Sequence, residues 1–151
     1  MKIAPAIAQL VELEQQVSLA AKEADPLDEM RVYEWRPHGI PELPAIWNWI
    51  EPGTVETVDT GRIDDVLIVK ATIGVKPSDI AESMGQLVRL TDVFREVADP
   101  VLWRNGRNPP LAGTVRESKR ISTHTEYEDF DGIPVMCMDM LIRLQLSHFV
   151  S

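Results

Sequence analysis

Residues 64–100, DDVLIVKATIGVKPSDIAESMGQLVRLTDVFREVADP, join an apolar strand directly to an amphipathic helix. Leu67, Val69, Ala71, Ile73 and Val75 recur at every second position, so in a strand they share one face, and that face is a core. The opposite face reads Val66, Ile68, Lys70, Thr72 and Gly74, which is mixed and partly apolar. Asp79 and Glu82 stand in capping-box spacing and signal a helix start. Ile80, Met84, Leu87, Thr91, Phe94 and Ala98 then follow at alternating steps of four and three, with Leu90, Val93 and Val97 widening the stripe. Asp99-Pro100 predicts its end, because a proline restricts the residue before it and donates no hydrogen bond.

Upstream, residues 5–24 read as a helix with Ile7, Leu10, Val11, Leu13, Val17 and Ala20 on its apolar side and Glu12, Glu14, Gln15 and Gln16 on its wet side. Asp25-Pro26 stops it. Residues 30–36 alternate and carry Val32, Tyr33 and Trp35, which predicts a strand. After a Pro- and Gly-rich connector, residues 43–50 predict a second strand. Ala45, Trp47 and Trp49 lie on one of its faces and Ile46 and Ile50 on the other, and Pro44 suits an edge or first position. Residues 51–65 are polar, and Val55 and Val58 support a short hairpin arm, expected to be mobile in the free protein.

Downstream, residues 103–112 read as a loop containing Arg104 and Arg107. A strand is predicted over 116–127, then a turn at Asp131-Gly132. The last strand runs over 136–146, where Met136, Met138, Met140, Ile142, Leu144 and Leu146 alternate with Cys137, Asp139, Arg143 and Gln145. The expectation is one α+β domain over residues 1–151, in the order α-β-β-β-α-β-β, with two helices on one face of a mainly antiparallel sheet of about five strands.

Composition narrows the functional classes. Lys and Arg number 15 against 24 Asp and Glu, a formal net charge of −9. That argues against a nucleic-acid grip, which needs cations to displace phosphate counterions. No run is apolar enough to cross a bilayer and no leader is evident, so a cytoplasmic protein is expected. A single cysteine, Cys137, excludes an internal disulfide. There is no phosphate-binding glycine loop, nucleophile elbow or paired-histidine zinc motif. No catalytic, cofactor or metal residues are therefore assigned. His124, Glu126, Glu128, Asp129 and Asp131 form an acidic patch that invites an ion or hydrolase reading through His124, Glu126 and Asp129, but solvated acidic turns are common. Trp35, Trp47 and Trp49 suggest the platform of a small carbohydrate-binding module, although core or interface packing explains them as well.

The order of elements and the texture of several stretches resemble the tail-terminator (tail-completion) proteins of long non-contractile-tailed phages of the lambda type. The likeness is carried by the N-terminal helix, the Pro-flanked aromatic strand Leu43-Pro44-Ala45-Ile46-Trp47, the polar arm, the long strand feeding a helix over 66–97, and the hairpin Gly132-Ile133-Pro134-Val135 entering the alternating strand 136–146. It covers nearly the whole chain and rests on architecture rather than on an invariant motif. The resemblance implies a structural protein without enzymatic activity or cofactor, found in the virion neck after assembly in the host cytoplasm. Such proteins form a ring, usually of six subunits, that caps the head-proximal end of the tail tube and presents a surface to the head–tail connector protein. It implies contact with the tail tube protein, passage of DNA through the lumen without binding, and no membrane. The same layout serves other neck and head–tail joining proteins. On this reading Val66, Ile68, Lys70, Trp47 and Trp49 are expected at the subunit interface, and Thr54, Val55, Thr57, Val58 and Arg62 in an assembly arm.

Overall fold

A computed structural model describes residues 2–59, 62–104 and 109–149, with side chains except at 52–59, 62–64 and 148–149. Helices and strands follow in the order α1 (Ile3–Ala24), β1 (Arg31–Val32), β2 (Ala45–Asp59), β3 (Arg62–Val75), α2 (Ile80–Leu102), β4 (Glu117–Phe130) and β5 (Ile133–Phe149). The five strands form one sheet in the order β1-β2-β3-β5-β4, with β1 parallel to β2 and the other pairs antiparallel. This is the α+β layout and element order that the sequence predicts.

The opening stretch lies at the centre. β3 pairs with β5 from Arg62↔Phe149 to Val75↔Met136 and with β2 from Ala45↔Gly74 to Asp59↔Arg62. A central strand is covered on both edges and, here, over most of both faces, which is why neither of its faces is fully polar. Val69, Ala71, Ile73 and Val75 sit in the main core with Met136, Met140, Ile142, Leu144 and Leu146 of β5 and the inner sides of both helices. Leu67 packs against that core from its edge.

Helix α2 begins at the expected cap, where the Asp79 carboxylate accepts a hydrogen bond from the Ala81 N–H. Two features differ from the periodicity. Ile80 and Met84 are exposed, because the buried stripe runs instead from Ser83, whose hydroxyl bonds the Lys76 carbonyl at 3.0 Å, through Leu87, Leu90, Thr91 and Phe94. The helix also continues through Pro100 to Leu102, with the Trp103 N–H bonded to the Asp99 carbonyl. The proline forfeits one backbone bond near the helix end, while buried Ala98 and Leu102 keep the turn on the core. Bidentate ion pairs tie α2 to its surroundings. Arg89 grips the buried Asp28, with both contacts at 3.1 Å, and Arg120 of β4 grips Asp99 at 3.0 and 3.1 Å.

Helix α1 buries Ile7, Leu10, Leu13 and Val17 as expected, adds Ala6 and Ala21, and leaves Val11 and Ala20 half-buried, but Glu14, assigned above to the wet side, is fully buried. Its position decides this: Ile7, Leu10, Glu14, Val17 and Ala21 follow steps of three and four and so occupy one stripe. Glu14 meets Asn48, which lies on the helix-facing side of β2 and donates from Nδ2 to Glu14 Oε1 at 2.6 Å. Burial, the larger effect, pushes the Glu14 carboxyl up to about 8 against the opposing pull of Asn48.

The strand expected over 30–36 contracts to Arg31–Val32, and the aromatic residues after it serve another purpose. Tyr33 and Leu43 cover a second cluster of Ala45, Trp47, Phe130, Val135 and Cys137, on the sheet face away from the helices. The described part of the polar stretch, residues 51–59 and 62–65, forms the arm expected there and makes it longer. These residues carry β2 and β3 onward as a ladder with register shifts between Glu51 and Thr54 and between Thr57 and Asp59. Thr54, Val55, Thr57 and Val58 belong to β2 and Arg62 to β3, while their side chains fall outside the described residues. β4 and β5 begin or end beyond the expected limits and join at Asp131-Gly132, whose positive φ values of 53° and 83° suit the tight hairpin turn that this dipeptide favours.

Candidate functional site

The helix layer leaves the opposite face of the sheet to other tasks. Alternation places Trp47 and Trp49 of β2, Ile68, Lys70 and Thr72 of β3, Cys137, Asp139 and Arg143 of β5, and His124, Glu126 and Glu128 of β4 on this face.

At one end the face is closed by the chain itself. Trp47 is 1% exposed and meets Phe130 edge-on with ring centroids 5.4 Å apart. The Arg36 guanidinium lies 4.1 Å over the Phe130 ring and hydrogen-bonds the Asp129 carbonyl. Trp47 is therefore a core residue, not a contact for a neighbouring subunit or a sugar. Trp49 stays 53% exposed and borders a hollow of about 140 Å³ with Arg36, Lys70 and Glu128. The three tryptophans do not make one platform, since one of them is enclosed.

The middle of the face is charged. Lys70 Nζ stands 3.7 Å from both Glu126 and Glu128, and Asp139 takes a 2.7 Å hydrogen bond from the Thr72 hydroxyl. Burial alone would lower the Lys70 pKa, but Asp139, Glu126, Glu128 and Glu51 outweigh it and raise the value. Asp139 is fully buried, and burial followed by its contact with Glu126 raises its carboxyl to about 6. Glu126 moves the other way, through that same contact and then the field of Lys70. The two carboxyls thus behave as a coupled pair in which the buried member holds the proton more readily.

The acidic patch foreseen around the β4–β5 hairpin divides. His124 and Glu126 point to the charged face, whereas Asp129 turns to the hairpin and accepts from the Gly132 N–H at 3.2 Å. Asp139 takes the third place that the sequence reading gave to Asp129. The signal was available: Asp139 stands between core methionines in a clean alternation, and a carboxylate there must share a face with Cys137. Cys137 itself is buried, and burial, followed by the charges of Glu128 and Asp139, pushes its thiol far above the usual range. Such a thiol is inert as a nucleophile at neutral pH.

Past Lys70 the face turns apolar again through Ile68, which is half-buried, and Val66, which is only 8% exposed. The interface set expected from the sequence therefore contracts. Val66 and Trp47 are already covered, Lys70 is engaged in ion pairs within the chain, Trp49 is exposed and Ile68 is half-buried. No protein-family description matches the chain, and no curated protein matches it.

Proposed function

We propose that the chain is a phage virion structural protein of the tail-terminator type. In this reading it forms a ring at the head-proximal end of a tail tube, stops tube polymerisation there and offers a docking surface to the head connector. The observation that supports it is the combination of the α-β-β-β-α-β-β order with a sheet used on two sides: both helices cover one face, and the other keeps exposed apolar and charged side chains. A ring subunit needs a layer that holds itself together and surface left over for two neighbours, because a closed ring joins two different patches of the same chain. The net charge of −9 suits a lumen through which DNA slides without being held. A carbohydrate-binding role loses its main support with the burial of Trp47.

Trp49 and Ile68 are the residues on which a neighbour is expected to rest. Trp49→Asp combined with Ile68→Asp is expected to give a folded chain, judged by circular dichroism, that no longer forms rings by negative-stain microscopy. Leu19→Asp, at a 60% exposed site on α1, is the matched control and is expected to leave rings intact. Rings in the double variant together with their loss in the control would move the interface to the helix layer and overturn this assignment.

A further inference from the structure

We infer that His124, Glu126 and Asp139 form a binding site for a divalent transition cation of the Zn²⁺, Co²⁺ or Mn²⁺ kind. Two independent observations meet here. The first is geometric: one donor atom from each residue lies within 4.8 Å of the other two. His124 and Glu126 are two apart on β4 and share a face, and Asp139 lies directly across from His124 on β5. Three donors are thus held by two paired strands rather than by a loop. The second observation is an unsatisfied atom. Asp139 is 0% exposed and its Oδ1 is bonded to Thr72, yet its Oδ2 receives no hydrogen bond. His124 Nε2 stands 3.2 Å from that oxygen, an ion-pair contact when the ring is protonated but not a hydrogen bond. A buried carboxylate oxygen left without a donor is costly, and a cation satisfies it.

The donor set selects the class of ion. One imidazole and two carboxylates suit borderline cations such as Zn²⁺, whereas Mg²⁺ favours an all-oxygen shell with several waters. A tetrahedral ion about 2.1 Å from each donor draws them to about 3.4 Å apart. The spread of 4.8 Å must therefore close by a modest amount. The two outer side chains can supply that movement, since His124 is 51% and Glu126 36% exposed, while Asp139 stays fixed by Thr72. The remaining coordination positions face solvent and take water. Lys70, at 3.7 Å from Glu126, competes with the ion for that carboxylate, so the site is tuned against tight binding.

The test is calorimetric titration of the untagged full chain with Zn²⁺, paired with Co²⁺ absorption, whose visible bands report coordination by nitrogen and oxygen. One ion per chain is expected, with a rise in Tm on binding and no displacement by excess Mg²⁺. His124→Ala, at an exposed position, is expected to weaken binding at least about tenfold, the loss seen even when outer partners of a ligand are removed. Lys70→Met is expected to tighten it severalfold. Asp139→Asn keeps a partner for Thr72 and is expected to abolish the Co²⁺ bands. Absence of binding to the wild-type chain would overturn the site. Binding that His124→Ala leaves unchanged would overturn it equally.

Discussion

Glu14→Gln is expected to stabilise the protein by about 3 kcal/mol at pH 7, an unusual direction for a change at a buried position. Glu14 is fully buried in α1, and its carboxyl rises from 4.5 to about 8 in the folded chain. Between those values the unfolded chain releases a proton that the folded chain keeps, so stability falls as pH rises through this window. Below about pH 4.5 the stability is fully present, and above about 8 no more is lost. Glutamine carries no charge to neutralise, and its amide can pair with Asn48 in both directions. That pairing answers the two atoms now lacking hydrogen bonds, Glu14 Oε2 and Asn48 Oδ1. Urea unfolding of both proteins across the pH range measures the difference. It should be small near about pH 4 and grow to its plateau near about pH 8. A difference independent of pH would mean that Glu14 is ionised in the folded protein.

The second large effect is expected at Gly74, where the central strand passes beneath Trp47. A Cβ on Gly74 would lie 2.6 Å from Trp47 Cη2, 2.9 Å from Cζ3 and 3.1 Å from Val135 Cγ1. Trp47 has little room to yield, because Phe130 stands edge-on against it and Arg36 closes over Phe130. Gly74→Ala should therefore cost about 2–3 kcal/mol, at the upper end for overpacking a core. Trp47→Leu removes the ring, and in that background the added methyl should cost much less, so the pair should couple by more than about 1 kcal/mol in a double-mutant cycle. Additive effects, or a neutral Gly74→Ala, would mean that Trp47 does not occupy this position.

Much of this architecture was legible because two periodicities dominate the chain. The β3–α2 segment and the alternating β5 are long enough that one reading of each survives, and together they set the centre of the sheet and its helix cover. The misreadings arose where side-chain type was given more weight than position. Glu14 lies on the stripe of Ile7, Leu10 and Val17, and its charge alone points to the wet side. Tyr33 and Trp35 suggested a longer strand. In the fold the backbone leaves the sheet after Tyr33, whose N–H still bonds the Ile46 carbonyl, and Tyr33 and Arg36 fold over the cluster that holds Trp47 and Phe130. The polar stretch at 51–65 reads as a short hairpin arm, and the β2–β3 ladder is longer than that because strand pairing is a backbone interaction and needs no apolar face of its own. The charged cluster was half legible. His124 and Glu126 share a strand face by simple counting, but only the register of β4 against β5 brings Asp139 to them, and pairing between strands is not written in either one alone.

We propose that this chain closes with its own copies into a ring. Sedimentation velocity of the purified chain over a concentration series, with negative-stain images of the heaviest fraction, tests it most directly. A discrete species of about six chain masses, imaged as closed rings, is the result expected for a cyclic assembly built on a repeated heterologous contact. A single 17.0 kDa species at every concentration, with no rings in the images, would contradict it.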